Sequence, residues 1–188
     1  MNIVLASESP FRRRAMDMLG VAYETRPAHL DEKAIRADNP AELTRKLAEA
    51  KAWKVAETCP DAIIVSGDAV ASKNGKVFEK PASLEEAAQF LRELSGGTFQ
   101  FVTSLAVLQV PARRMLTAVE SCDITFRPLL DREIQSYIRS YPVTNCAGAF
   151  EEDAVRLFGD RICGSYNIGT ALPVSKLIVM LREQGADV

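Results

Sequence analysis

The segment Ala62-Ile63-Ile64-Val65-Ser66 limits the architecture more than any other part of the chain. It is apolar at nearly every position, and Pro60-Asp61 and Gly67-Asp68 close it at both ends. A half-buried strand alternates. A continuous apolar run of this length fits a strand covered on both faces, which requires helices on each side of a sheet. Ile3-Val4-Leu5-Ala6 reads as a second buried strand and runs into Ser9-Pro10. Serine suits an N-cap, and proline suits the first helical position, where a missing N–H costs nothing.

The rest of the pattern fits the same class. Phe11, Ala15, Met18 and Leu19 repeat at helical spacing up to a Gly20 C-cap. Val21 to Thr25 alternates like a short strand. Asn39-Pro40 opens a long helix that ends at Cys59-Pro60. Its apolar side is expected to carry Leu43, Leu47, Ala50, Trp53 and Val55, with Lys46, Lys51 and Lys54 on other faces. Asn74-Gly75 predicts a hairpin turn, and Ser83 with Glu86 a capping box for a helix over Leu84 to Leu94. Thr98 to Val110 and Met115 to Phe126 predict a long antiparallel hairpin. Asp131 is expected to cap a short helix, Asn145 to Gly169 to be loop-like, and Leu172-Pro173 to open a final helix. The sum is a single α/β domain over 1–188 with a mixed sheet.

Composition excludes several functions. The 188 residues carry a net charge of −2, so bulk attraction to nucleic acid is not expected and any cationic site must be local. No apolar run reaches the ~18 residues of a membrane helix, and the chain starts almost directly with a strand, which points to the cytoplasm. Cys59, Cys122, Cys146 and Cys163 form no CxxC pair and read as free thiols. His29 is the only histidine and lies in a polar connection after Pro27, which excludes a multi-histidine metal centre and argues against a His-based triad. A metal here is a hard divalent cation held by carboxylates and phosphate.

Polar residues gather at the predicted element ends. Ser7 and Ser9, with Arg12, Arg13 and Arg14, load a helix start with hydroxyls and guanidiniums, which suits an anion such as phosphate; equally, the arginines could be a solvated face. Asp68 follows a buried strand, where it either binds a divalent ion and orients water or forms a turn after Gly67. Lys51 and Lys80 are phosphate ligands or exposed lysines, and Glu151-Glu152-Asp153 is by default a solvated loop. Together these groups suit hydrolysis of a phosphoanhydride.

With those positions marked, the chain resembles the Maf family of nucleotide pyrophosphatases nearly end to end. The resemblance runs through Leu5-Ala6-Ser7-Glu8-Ser9-Pro10-Phe11-Arg12-Arg13, Asp31-Glu32, Glu49-Ala50-Lys51-Ala52 and Ser66-Gly67-Asp68-Ala69-Val70. It continues through Glu79-Lys80-Pro81, Leu94-Ser95-Gly96, Cys146-Ala147-Gly148-Ala149-Phe150, and Gly164-Ser165-Tyr166 with Leu172-Pro173. It implies the inosine-triphosphatase-like (Maf/Ham1) fold and a homodimer with its site in a cleft. The implied reaction is hydrolysis of a nucleoside triphosphate to the monophosphate and pyrophosphate with Mg²⁺ or Mn²⁺. Asp68 would be the base or hold the metal, Glu32 would be a metal-site carboxylate, and Ser7, Arg12, Arg13, Lys51 and Lys80 would bind phosphates.

Phe11, Ala69 and the Cys146 to Asp153 segment look more like the branch acting on 7-methyl-GTP than the one acting on dTTP and UTP. A methylated guanine is cationic, so stacking on Phe11 gains ~0.5–2 kcal/mol, and a carboxylate can accept from its N1–H and N2–H. Phe11 could instead be a core residue of the first helix. The glycine-rich stretch expected after that acid is absent, so Glu152 and Asp153 compete to read the base. The alternatives are a dTTP/UTP pyrophosphatase and a catalytically weak nucleotide-binding regulatory protein.

Overall fold

The computed structural model describes residues 1–188. The chain folds into two compact units that interleave along the sequence. The first contains Met1–Asp68, Thr103–Glu120 and Thr170–Val188; the second contains Ala69–Val102 and Ser121–Gly169.

The first unit holds β1 (Asn2–Leu5), α1 (Pro10–Leu19), β2 (Glu24–Thr25), α2 (Pro40–Ala56) and α6 (Val174–Glu183). It also holds the start of β3 (Ala62–Lys73), the end of β5 (Thr98–Gln109) and the start of β6 (Arg114–Phe126). β1 pairs in parallel with β2 on one side and with β3 on the other, in the register Ile3 to Ile63 and Leu5 to Val65. The two-sided burial expected of β3 is realised by alternation. Its odd residues Ile63 and Val65 pack with Ala15 and Met16 of α1 and Leu177 and Leu181 of α6. Its even residues Ala62 and Ile64 pack with Ala52 and Val55 of α2.

The second unit adds β4 (Lys76–Phe78), α3 (Leu84–Leu94), α4 (Asp131–Ser140), α5 (Glu152–Phe158) and β7 (Gly159–Gly164). Asn74 and Gly75 both take positive φ, +53° and +79°, as the hairpin turn between β3 and β4 demands. The core here is aromatic: Phe99 meets Phe126 and Phe150 edge to face at 4.9 and 5.3 Å between ring centres. Cys59, Cys122 and Cys146 are buried free thiols, and Cys163 is an exposed one. No helix is long and apolar enough to cross a membrane.

Four local expectations change. β3 does not stop at Gly67-Asp68 but runs on to Lys73, so Asp68 lies within the strand. The short strand read over Val21 to Thr25 keeps only Glu24–Thr25. The segment read as a loop after Asn145 contains α5 and β7, because Ala154, Val155 and Phe158 bury one face while Glu152 and Asp153 sit favourably in the first turn. Asp131 is the first residue of α4, not its cap: Leu130 holds that position, and its N–H donates to Glu133 Oε2 at 2.9 Å.

Glu133 also accepts both arms of Arg127, at 2.7 and 3.0 Å. That pairing, with the Leu130 N–H, holds its carboxyl down at about 2. A depressed folded-state value stabilises the fold above the unfolded carboxyl value of about 4.3 and loses that contribution as pH falls towards 2. The difference in Tm between wild type and Glu133→Gln should therefore be constant above about pH 5 and vanish between about pH 4.5 and 2. Thermal melts over that range check it; a difference independent of pH would contradict the pairing.

Candidate active site in the first unit

The turn between β1 and α1 is closed by Ser7, whose Oγ accepts the Ser9 N–H at 3.1 Å. The same Oγ accepts Arg12 Nη1 at 3.1 Å. Ser9 occupies the N-cap position and Pro10 the first turn, as the sequence predicts, but the Ser9 hydroxyl makes no capping hydrogen bond. Arg12 is buried, and its Nε has no acceptor. A buried charged donor without a partner is costly. An anionic oxygen would satisfy it, near the N-terminus of a ten-residue helix. Burial lowers the Arg12 pKa, and the charges of Asp68 and Glu32 oppose that shift. Arg13 is exposed on the next position of α1, and Phe11 is half-buried.

On the other face of β3, Lys51 reaches down from α2. Its Nζ donates to Asp68 Oδ1 at 2.7 Å and lies 3.1 Å from Glu32 Oε2. The Asp68 side chain is only 10% exposed, whereas Glu32, in a 3₁₀ turn over Glu32–Ala34, is 49% exposed. The structure thus brings Ser7 to Arg12, and Lys51 to both carboxylates, within one unit. The placement of Lys51 on a solvent-facing side of α2 is corrected. It lies on the buried stripe with Leu43, Leu47 and Val55, and Trp53 turns outward instead. The four-residue spacing 43, 47, 51, 55 carried that signal, masked by the assumption that a lysine stays in water.

Glu32 and Asp68 already converge on one positive charge, and both offer hard oxygen donors. That set fits a divalent cation of the Mg²⁺ type, with phosphate oxygens completing its shell.

The remaining expected residues lie in the second unit. Lys80 is exposed after β4, and Ala69 is partly buried against the aromatic core. Glu152 accepts Arg156 Nη2 at 2.7 Å and the Tyr166 hydroxyl at 2.9 Å, and its side chain is 15% exposed. Asp153 accepts Arg156 Nη1 at 3.2 Å and is 46% exposed. Glu151, the third acid, has its carboxyl raised, first by burial and then by Asp153 and Glu152.

Sequence reasoning did not assign Ser66, Gly67 or Ser104. Ser66 Oγ donates to the Ala48 carbonyl at 2.6 Å; Ser104 Oγ accepts the Asp68 N–H at 3.1 Å and donates to the Thr44 carbonyl at 2.7 Å. A Cβ on Gly67 would lie 2.3 Å from Leu172 Cδ2, 2.5 Å from the Ser104 carbonyl oxygen and 3.6 Å from Arg12 Nε. The available signal was serine at even positions of otherwise apolar strands, on the face that also carries Asp68.

With this geometry in view, the matching family model is informative: the Maf-like protein model covers residues 2–184. The chain belongs to the Maf-like protein family. Among its relatives, a protein of Idiomarina loihiensis named 7-methyl-GTP pyrophosphatase is 34% identical over 98% of this chain and 96% of its own. One of Pseudomonas aeruginosa with the same name is 31% identical over 100% and 98%. A protein of Pelotomaculum thermopropionicum named dTTP/UTP pyrophosphatase is 35% identical over 99% and 98%. Among solved structures, a HAM1 protein from Coxiella burnetii superposes with a TM-score of 0.50 at 14% identity, covering 97% of this chain and 99% of that one. That likeness shows the fold alone, and it is the mixed α/β fold expected from the sequence.

Proposed function

We propose that this Maf-like protein hydrolyses a nucleoside triphosphate to the monophosphate and pyrophosphate, with 7-methyl-GTP as its substrate. The observation that carries the reaction class is the buried Asp68 carboxylate paired with the buried Lys51 at 2.7 Å, in the same unit as the buried Arg12 with its unpartnered Nε. Phosphate oxygens would satisfy Arg12, with Ser7, Arg13 and Lys51 adding donors and neutralising charge. Asp68 would accept the proton of the attacking water at its carboxylate. Glu32 and Asp68 would hold a divalent cation, which when bound stabilises the negative charge that develops on the phosphates. For Lys80 the support is its Glu79-Lys80-Pro81 motif and its exposure.

The choice of base rests on less. Relatives at similar identity, 31–35%, carry both names, 7-methyl-GTP pyrophosphatase and dTTP/UTP pyrophosphatase, so the names do not choose the base and the residues must. Phe11 supplies an aromatic face where the pyrimidine branch tends to have arginine, and Ala69 stands where that branch tends to have threonine. Of the two competing acids, Asp153 is the more open and is held by a single longer bond, which favours it over Glu152 as the base reader.

Pyrophosphate release from 7-methyl-GTP, GTP, dTTP and UTP with Mg²⁺ or Mn²⁺ tests both levels of the proposal. The highest kcat/KM is expected for 7-methyl-GTP. A preference for dTTP or UTP would transfer the chain to the pyrimidine reading, and no release from any of them would leave a binding protein. Phe11→Ala should lower kcat/KM for 7-methyl-GTP by about 2- to 30-fold, the range of a cation–π term, with a smaller loss for GTP. Equal losses would remove Phe11 from base recognition.

A further inference from the structure

The Asp68–Lys51 pair joins two elements, a strand and a helix, that have no covalent reason to hold their side chains 2.7 Å apart. Two serines supply one. Thr44, Ala48 and Lys51 follow each other at spacings of four and three, so they share one face of α2. The carbonyls of the first two are gripped from the sheet, Thr44 by Ser104 and Ala48 by Ser66. All of Thr44, Ser66 and Ser104 are fully buried. Ser104 has a second hold: the same hydroxyl oxygen accepts the main-chain N–H of Asp68 at 3.1 Å. Its approach to the Asp68 carbonyl, at 3.4 Å, is the longer alternative for its single proton, so the Thr44 carbonyl takes that proton.

We infer that Ser104 is a positioning residue for hydrolysis: one hydroxyl on β5 ties the Asp68 main chain to the α2 turn and thereby fixes where Lys51 meets the Asp68 carboxylate. Ser66 is the auxiliary clamp, holding α2 one turn further along without touching Asp68. This inference rests on the proposed pyrophosphatase activity and adds a residue to it that contacts neither phosphate nor base.

The test is a kinetic cycle on the full chain, with the preferred nucleotide from the panel above. Ser104→Ala should lower kcat by about 10- to 100-fold, the scale of a displacement near 1 Å in a catalytic group, with KM changed by less than about threefold. In a Lys51→Met background the same substitution should cost less than about twofold, because the distance it controls no longer matters. Ser66→Ala goes through the same cycle and is expected to show the same non-additivity with a smaller loss. It keeps the question open to measurement should Ser104→Ala not fold. Equal losses in both backgrounds, or a drop that appears in KM alone, would overturn the positioning role while leaving the activity in place. A wild-type chain inert on every nucleotide would instead overturn the activity itself.

Discussion

Asp68→Asn lowers kcat/KM for nucleotide hydrolysis by about a thousandfold while the chain stays folded. Asparagine keeps the shape of the side chain and an oxygen that accepts the Lys51 ammonium, now 2.7 Å from Oδ1. It cannot take a proton from water, and it removes the negative charge that faces Lys51. The loss therefore falls on reaction rather than on folding, and steady-state kinetics beside a thermal melt separate the two. Glu32→Gln should cost less, because Glu32 is half exposed and shares Lys51 with the better-buried partner. An Asp68→Asn variant retaining more than a tenth of wild-type activity would end the assignment of Asp68 as base or metal ligand.

Gly67→Ala destabilises the chain by about 3 kcal/mol, at the upper end of overpacking in a core. The reason is not backbone conformation, since Gly67 has no positive φ. It is space. The added carbon meets a methyl of Leu172 at 2.3 Å and the carbonyl oxygen of Ser104 at 2.5 Å. A leucine end can rotate away; a strand carbonyl cannot move without breaking its ladder. Leu172→Ala thus relieves one of two clashes, and the double variant should be less destabilised than the sum of the single ones. Urea unfolding midpoints measure this. An unchanged midpoint for Gly67→Ala would mean that β3, β5 and Leu172 are not packed as tightly as these distances require. The same contact explains why glycine stands between a clamp serine and the key aspartate: the strand must lie flush against Leu172 and the Ser104 carbonyl at that point.

The two largest expected effects thus sit on neighbouring residues with opposite causes. One removes chemistry and spares the fold; the other adds a single carbon and spares no packing.

Much of this was legible in the residues. The continuous apolar runs at Ile3–Ala6 and Ala62–Ser66 require cover on both faces, and α1, α2 and α6 supply it. Asn74-Gly75 demands positive φ at two positions and takes them. Ser9-Pro10 starts a helix because its geometry and missing donor fit nowhere better. These are local determinants, set by φ, ψ and hydrogen-bond inventory within a few residues. The motifs around Ser7, Arg12, Lys51 and Asp68 likewise pointed to the Maf-like family that the chain belongs to.

Tertiary structure decided what a one-dimensional pattern cannot carry. Whether Lys51 lies in water or in the core depends on what α2 packs against, and only the fold places two carboxylates and a strand beneath it. Whether the strand stops at Asp68 or runs through it depends on a pairing partner further along, and β4 supplies one from Ala71 to Lys73; the Asp68 N–H itself is taken by the Ser104 hydroxyl, 36 residues away. Burial and pairing are properties of neighbours in space. The sequence by itself determined which residues could do the chemistry; the fold determined which of them stand within 3.1 Å of each other.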